Sequence, residues 1–193
     1  MRAYNASWIQ VYSNISGGVT VQEYVTLVDE NDNMVGTAEK IDAHKNPRLH
    51  RAFSIFIFNN SGELLIQRRA EGKYHNPGMW ANTCCGHPRP GESLEVAAHR
   101  RLQEEMDFDT GMVKVFSFIY SSEFENGLTE KEYDHVLVGK WDGIPSFNIN
   151  EIADYKWISK SDLADDIRKS PEIYTTWFKI AWGTLLKEMK SCL

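Results

Sequence analysis

The chain has 193 residues, of which 42% are hydrophobic, and it carries a formal net charge of −6. A chain of this length can bury one substantial core, so we expect a single domain. The acidic balance gives no indication of a nucleic-acid partner or an anionic membrane surface. Any anionic substrate therefore has to be held by local cations.

The apolar runs and the cysteines bear on where the protein works. No apolar run approaches the ~20 residues that a membrane-spanning helix needs, and the first residues lack the apolar core of a signal peptide. The three cysteines, Cys84, Cys85 and Cys192, are few and odd in number for a secreted protein. We therefore predict a reduced, cytoplasmic, soluble enzyme or binding domain with no membrane span.

The first half of the chain reads as strands followed by a polar loop. Residues 23–40 predict a strand, a polar turn and an extended return. Residues 53–70 predict a β-hairpin, because apolar residues alternate on both sides of an Asn-Ser-Gly turn. Residues 76–93, NPGMWANTCCGHPRPGES, are rich in proline and glycine and predict a loop.

The second half of the chain adds helices and two more strands. Ser93 is a suitable N-cap for an amphipathic helix. The apolar stripe of that helix has residues four apart: Leu94, Ala98, Leu102 and Met106. Residues 113–122 and 132–141 predict strands, and residues 161–169 and 173–190 predict two helices separated at Ser170-Pro171. The fold class is therefore α/β, and we expect the chemistry to lie on loops.

The segment NTCCGHP, residues 82–88, can be interpreted in three ways: as a disulfide, a zinc knuckle or a reactive thiol. Adjacent cysteines rarely bridge each other, because the eight-membered ring is strained. A zinc knuckle calls for a second cysteine pair, which the sequence lacks. Both arguments weaken the first two interpretations without excluding them.

The spacing of Gly86, Glu92 and residues 100–105 (RRLQEE) resembles the Nudix box, G-x5-E-x7-R-E-U-x-E-E-x-G-U with U aliphatic. In that box a loop–helix–loop binds a divalent metal and a diphosphate. Arg101 stands where the hydrolases place a glutamate, and Asp107 replaces the second glycine. Replacing the glutamate with arginine removes a metal ligand and adds a guanidinium that can form two hydrogen bonds with a phosphate. The exchange therefore favours binding a diphosphate over hydrolysing it. The alternative is a solvated helix face with ordinary i,i+4 pairs.

Histidines and paired glutamates form a second candidate site. Glu130 and Glu132 are two residues apart, so both carboxylates point to one face of a strand. With two or three imidazoles from His44, His50 and His87, they suffice for a divalent cation such as Zn²⁺, Mn²⁺ or Mg²⁺. The alternative for any one histidine is a structural or exposed role. We place three histidines in that class: His75, His99 and His135.

Together these segments resemble the type I isopentenyl-diphosphate Δ-isomerases of the Nudix superfamily. The resemblance is carried by LHRAFSIFIFN, LLIQRR, NTCCGHP with GES after it, RRLQEE and TEKEYDH. It covers roughly residues 23–180, so we expect one Nudix-fold domain over residues 1–193 with an N-terminal extension of unknown structure, residues 1–22. It implies a mixed β-sheet sandwiched between helices, with a Nudix-type loop–helix–loop. It also implies an isomerase of isoprenoid biosynthesis that interconverts isopentenyl diphosphate and dimethylallyl diphosphate by protonation and deprotonation of the alkene.

The resemblance also implies roles for individual residues. The catalytic cysteine, which immediately precedes Gly-His-Pro, matches Cys85, and the second acid/base matches Glu132. The ligands of one divalent metal (Mn²⁺, Zn²⁺ or Mg²⁺) match His44, His50, His87, Glu130 and Glu132. A second metal, Mg²⁺ bridging the diphosphate, matches Glu105. Substrate contacts match Lys40, Arg69, Lys73, Arg101, Tyr120 and Trp177. If the alignment slips at His44, a four-ligand site remains.

The implied chemistry explains why these residue types are needed. Protonating an unactivated C=C bond gives a tertiary carbocation, so the site needs an acid, a base and walls that exclude water. The indole of Trp177 can stabilise that cation, although helix packing is the alternative role for this residue. The rival functions are a Nudix diphosphate hydrolase and a non-catalytic metal-binding domain. The sequence leaves open the identity of the metal and the oligomeric state; the partner we expect is a small-molecule diphosphate.

Overall fold

The computed structural model describes residues 22–191, with side chains for residues 22–188. The predictions for Cys192 and for residues 1–21 lie outside this part of the chain. Its strands are β1 (Tyr24–Val28), β2 (Met34–Glu39), β3 (His50–Phe58), β4 (Leu64–Arg69), β5 (Trp80–Ala81), β6 (Cys84–Gly86), β7 (Met112–Glu123), β8 (Thr129–Lys140) and β9 (Ile152–Ile158). Its α-helices are α1 (Lys40–Lys45), α2 (Leu94–Met106), α3 (Lys160–Lys169) and α4 (Thr176–Ser191).

Strand β3 is the centre of a mixed sheet. It pairs in parallel with β8, where His50 lies opposite Glu132, and antiparallel with β6, where Ser54 lies opposite Cys85. β7 pairs with β8, β1 connects β3 to β2, and β4 pairs with β5 and β9, all antiparallel. Residues opposite each other in a ladder project to the same face of a sheet. The register therefore brings Glu132 and Cys85 alongside the two edges of one strand.

Strand β3 is buried on both faces, which explains its nearly continuous apolar sequence. Phe53, Ile55 and Ile57 pack in a core with Ala98 and Leu102 of α2. The alternate residues Phe56 and Phe58 pack in a second core with α4, including Phe178 and Trp182, and with Leu163 of α3. Alternate residues of a strand point to opposite faces. The sheet therefore lies between α2 and the pair α3–α4, which confirms the predicted mixed sheet between helices.

The predicted hairpin of β3 and β4 forms only at its turn. Phe58 pairs with Leu64, but Thr83 then lies between the two strands. Its hydroxyl accepts a hydrogen bond from the Ile57 amide (3.0 Å) and donates one to the Leu65 carbonyl (2.6 Å). The strands consequently separate, and each completes its hydrogen bonding with other neighbours. Alternation predicted both strands correctly but could not show which strands they pair with.

Helix α2 begins and ends where the sequence predicted. The Ser93 hydroxyl caps it by accepting a hydrogen bond from the Val96 amide at 3.2 Å. It ends at Asp107, whose φ of 57° lies in the left-handed region. This is the conformation for which glycine is favoured at a helix C-terminus, and it explains why the box places glycine at this position. No helix within residues 22–191 combines the length and apolar character that crossing a bilayer requires.

Several short elements were not predicted. The segment expected to be a loop contains β5 and β6, and α1 and β9 have no counterpart in the sequence-based assignment. The last helix begins at Thr176, because Pro171–Ile173 forms a separate 3-10 turn. Short elements such as these carry too few residues for a periodic pattern.

Candidate active site

A cleft of about 1410 Å³ gathers most of the predicted site residues. The predicted residues that line it are Lys40, Arg69, Lys73, Cys85, His87, Arg101, Glu105, Tyr120, Glu130, Glu132 and Trp177. His44 and His50 are fully buried and lie against the glutamates of its wall. The expectation that the chemistry lies on loops is wrong for several of these residues, because β3, β6 and β8 supply His50, Cys85 and both glutamates.

The two adjacent cysteines have different surroundings. Cys84 is fully buried in the core beneath α2, whereas Cys85 is half-buried and lines the cleft. Successive residues of a strand point to opposite faces, so the two free thiols are directed apart. Burial, and next the nearby Glu105 carboxylate, raises the pKa of the Cys85 thiol. Cys85 therefore holds its proton at neutral pH and faces the space where a substrate would lie.

Asn82 connects the thiol to Trp177 and was not identified from the sequence. Its Oδ1 accepts a hydrogen bond from the Trp177 indole at 3.1 Å and lies 4.0 Å from the Cys85 sulfur. Its Nδ2 donates to the carbonyls of Ile55 (3.2 Å) and Cys84 (2.7 Å), which holds the amide in place. Trp177 is only 3% exposed and packs in the α4 core while also lining the cleft. Both roles considered for this indole are thus compatible with its position.

The buried histidines His44 and His50 present free nitrogen lone pairs to the glutamates. His44 Nδ1 lies 2.6 Å from the Lys40 carbonyl, and His50 Nδ1 lies 2.8 Å from the Arg48 carbonyl. A carbonyl can only accept, so Nδ1 carries a proton in each ring, and in the neutral form of the ring Nε2 carries the lone pair. Neither Nε2 atom has a hydrogen-bond partner.

The two glutamates of β8 meet at the Tyr120 hydroxyl. This hydroxyl lies 2.7 Å from Glu132 Oε2 and 3.0 Å from Glu130 Oε2. Burial, followed by the charge of Glu132, raises the pKa of Glu130 to about 8. Burial opposes ionisation of Glu132 as well, but the imidazoles of His50 and His87 hold its pKa well below the ordinary value. The pair therefore consists of one ionised carboxylate and one carboxyl that readily keeps a proton.

The cluster fits a divalent metal ion. His44 Nε2 lies 4.0 Å from Glu130 Oε1, His50 Nε2 lies 3.6 Å from Glu132 Oε1, and His87 Nε2 lies 2.9 Å from the same Glu132 oxygen. One ligand atom each from His44, His50 and Glu132 lie within 4.8 Å of one another. Buried, unpartnered imidazole nitrogens beside carboxylates are the donors that such an ion requires.

His75 also belongs to this cluster, although its sequence context predicted a structural or exposed role. It is 7% exposed, and its Nε2 lies 2.8 Å from Glu130 Oε1. His99 instead pairs with Asp109 at the surface, and His135 pairs with Asp32 away from the cleft. The sequence offered no signal for His75, because it lies in the loop after β4 and approaches Glu130 only through the tertiary fold.

Three predicted cations of the cleft are paired with acidic side chains, whereas Arg69 contacts His75 and the Asn76 carbonyl. Lys40 Nζ lies 2.7 Å from Glu23, and Lys73 forms an ion pair with Glu151. Arg101 Nη2 lies 3.6 Å from the same Glu151 carboxylate. Glu23 and Glu151 were not identified from the sequence, since isolated acidic residues in loops are indistinguishable from solvated surface charge.

Arg101 and Glu105 of α2 have features of both interpretations of the box, the helix face with ordinary ion pairs and the buried binding site. The expected i,i+4 pair is present between Arg101 and Glu105, and Arg101 also forms an i,i+3 pair with Glu104 at 2.8 Å. Glu105 is nevertheless only 4% exposed and also accepts a hydrogen bond from Gln67 at 3.0 Å. A Cβ atom at Gly86 would lie 3.1 Å from the Arg101 side chain, so glycine permits the arginine to approach the loop this closely.

Comparison with known proteins identifies similar sequences. Residues 48–178 match the NUDIX domain family. The chain is 54% identical to isopentenyl-diphosphate Delta-isomerase 2 of Photorhabdus laumondii subsp. laumondii, over 82% of this chain and 90% of that protein. It is 51% identical to the protein of the same name from Aromatoleum aromaticum, over 81% of this chain and 83% of that one. It is 44% identical to isopentenyl-diphosphate Delta-isomerase of Serratia proteamaculans, over 88% of this chain and 92% of that one.

Solved structures show the same fold. The crystal structure of DR0079 from Deinococcus radiodurans superposes with a TM-score of 0.64 and 27% identity, covering 76% of this chain and 90% of that one. The MutT protein of Methanosarcina mazei Go1 superposes with a TM-score of 0.60 and 22% identity, covering 74% of this chain and 96% of that one. Both similarities confirm the Nudix fold that the sequence predicted.

Proposed function

This chain belongs to the type I isopentenyl-diphosphate Delta-isomerases of the Nudix superfamily. We propose that Cys85 and Glu132 transfer the protons in its reaction. The reaction interconverts isopentenyl diphosphate and dimethylallyl diphosphate, a step of isoprenoid biosynthesis. One group donates a proton to the alkene and the other removes a proton from the resulting cation. Because the reaction is reversible, each group is the acid in one direction and the base in the other.

The observation that carries this assignment is the placement of a thiol and a carboxylate at one cleft. Cys85 is on β6 and Glu132 is on β8, the strands that flank β3, and both side chains line the cleft. Cys85 holds its proton, whereas Glu132 is held in its ionised form. The two groups therefore differ in protonation at the outset, as a pair that passes a proton across an alkene must.

Tyr120 and Trp177 have supporting roles in the proposal. The Tyr120 hydroxyl has one proton to donate and contacts both glutamates. It can therefore hydrogen-bond with Glu132 both when that carboxyl group is ionised and when it is protonated. The buried Trp177 indole, oriented by Asn82, offers a π face to a carbocation, which contributes roughly 0.5–2 kcal/mol when desolvated. Their positions support these roles, since neither aromatic residue is free to turn away from the cleft.

The diphosphate is assigned to the cations on the other side of the cleft. Lys40, Arg69, Lys73 and Arg101 supply the positive charge there. Binding energy from this remote group helps to position the alkene between the two proton-transfer groups. The diphosphate has to compete with Glu23 for Lys40 and with Glu151 for Lys73 and Arg101.

Two metal ions complete the proposal. His44, His50, His87, Glu130 and Glu132 would hold one divalent metal, Mn²⁺, Zn²⁺ or Mg²⁺, and Glu105 would hold a Mg²⁺ that bridges the diphosphate. When bound, such ions supply positive charge that lowers the proton affinity of nearby carboxyl groups and neutralises phosphate oxygens. The unpartnered nitrogens of His44 and His50 support the first site, and the buried carboxylate of Glu105 supports the second.

The test is isomerisation of isopentenyl diphosphate in D₂O with added Mg²⁺, followed by NMR. We expect deuterium in both the substrate and dimethylallyl diphosphate with the unaltered chain, and neither product nor exchange with Glu132→Gln. Equal turnover by that variant would remove Glu132 from its role. Phosphate release without deuterium incorporation would instead identify a diphosphate hydrolase.

A further inference from the structure

His75 lies between the proposed metal site and the proposed diphosphate site. On one side, its Nε2 is 2.8 Å from Glu130 Oε1. On the other side, its Nδ1 is 3.2 Å from the Nη2 atom of Arg69. The ring stacks on Phe124, with centroids 4.9 Å apart and an interplanar angle of 12°. The imidazole is therefore held in an orientation that connects an arginine to a carboxylate.

The arginine determines which nitrogen of His75 carries the proton. A guanidinium can only donate hydrogen bonds, so Nδ1 of His75 must accept and cannot carry a proton. A neutral imidazole then carries its proton on Nε2, the atom that faces Glu130. Arg69 itself is fixed, because it also donates to the carbonyls of His75 (3.0 Å) and Asn76 (3.2 Å).

This tautomer is the opposite of that in the two fully buried histidines. His44 and His50 each place Nδ1 against a backbone carbonyl and direct a lone pair at the glutamates. His75 instead carries its N–H on Nε2, the atom that lies 2.8 Å from Glu130 Oε1. Although His75 lies within ligand distance of His44 and Glu130, its tautomer is suited to donating a hydrogen bond to a metal ligand.

We propose that His75 is a positioning residue that receives a hydrogen bond from Arg69 and donates one to Glu130, so that it couples the diphosphate site to the metal site. Outer-shell donors of this kind orient a ligating carboxylate and strengthen metal binding. Arg69 fixes the tautomer that places the His75 proton on Nε2, so loss of the arginine contact also weakens metal binding. The coupling rests on the proposed roles of Arg69 and Glu130.

The experiment measures Mn²⁺ affinity of the full chain from the EPR signal of free Mn²⁺, with Mn²⁺ alone as the probe. His75→Leu removes both contacts, and we expect it to weaken Mn²⁺ binding by about 10-fold. His75→Gln keeps one acceptor for Arg69 and one donor for Glu130 on a single amide, so we expect an affinity within about threefold of the unaltered chain. His99→Gln, at the surface pair with Asp109, is the matched control and is expected to change nothing.

The two His75 variants separate the proposal from its rival. An amide is a poor ligand for transition metals, so equal losses in His75→Gln and His75→Leu would make His75 a direct ligand and overturn the proposal. Unchanged binding in His75→Leu would overturn it as well. Because this readout needs no turnover, it is independent of whether the chain isomerises isopentenyl diphosphate.

A double-mutant cycle tests the connection to Arg69. Arg69→Met is expected to weaken Mn²⁺ binding by about threefold in the unaltered chain and to have no further effect in the His75→Leu background. Additive effects of the two substitutions would overturn the coupling. If His75→Leu does not fold, the same cycle with His75→Gln serves, and there the effect of Arg69→Met must persist.

Discussion

The buried histidine–glutamate cluster and the cationic side of the cleft are neighbours, but they differ in whether their polar groups already have partners. The cluster contains fully buried nitrogens without partners, on His44 and His50. On the cation side, Lys40 and Lys73 are partly exposed and already paired, with Glu23 and Glu151 respectively. An unpaired buried polar atom is costly, whereas an exposed ion pair contributes roughly 0–1 kcal/mol. The cluster therefore needs a bound metal ion to give its nitrogens a partner. On the cation side, a bound diphosphate would replace the carboxylates that already pair with the lysines.

This contrast predicts the size of functional effects. Substitutions at the buried groups should act on catalysis or on metal binding, by large factors, because nothing else can replace the lost atom. Substitutions on the cation side should act on substrate affinity, by smaller factors, because the proposal assigns several cations to the diphosphate. The expected effects therefore decrease from Cys85 through His50 to Arg101.

The largest effect is expected for Cys85→Ala. Loss of a group that transfers protons should reduce kcat by about 10²–10⁴-fold or more, with KM little changed. The measurement is steady-state isomerisation of isopentenyl diphosphate, with circular dichroism to show an intact fold. Cys84→Ala is the matched control, since that sulfur lies in the core beneath α2. It should keep substantial activity and lose on the order of 1 kcal/mol of stability. The reverse pattern would mean that the other sulfur is the reactive one.

An intermediate effect is expected for His50→Ala. Its unpartnered Nε2 faces Glu132 at 3.6 Å, so its loss should weaken divalent metal binding by at least about 100-fold. Competition with a fluorescent chelator measures this change directly. Metal should also raise Tm of the unaltered chain, because a ligand bound only by the folded state stabilises it. Binding within a few-fold of the unaltered chain, with the Tm rise intact, would show that the cluster holds its metal without His50.

The smallest effect is expected for Arg101→Ala. The proposal assigns this arginine, with several other cations, to the diphosphate, so its loss should raise KM for isopentenyl diphosphate by about 10-fold with kcat almost unchanged. Arg168→Ala is the control, because Arg168 forms an exposed pair with Asp165 on α3. A normal KM in Arg101→Ala would show that Arg101 is an ordinary surface charge of helix α2. A drop confined to kcat would place it with the buried groups and contradict the expected order of effects.

The sequence by itself determined those features that depend on local spacing. Strand alternation predicted that Glu130 and Glu132 share a face, and both do contact Tyr120. The helical stripe and Ser93 predicted α2 with its cap. The family resemblance, not spacing, pointed to Cys85 rather than Cys84, and of these two cysteines the structure places Cys85 at the cleft. The shared face of the glutamates and the helical stripe follow from covalent geometry within one element, which the sequence displays directly.

Only the tertiary structure decided which groups become partners. Thr83 separates β3 from β4, Asn82 connects Cys85 to Trp177, and Glu151 pairs with Lys73 and Arg101. The strongest example is the histidines, which are chemically identical in the sequence. Two have their proton directed at a carbonyl, and one has its lone pair directed at Arg69. A histidine's tautomer depends on the hydrogen-bond partners that surround it, and contacts between distant segments supply those partners only when the chain has folded.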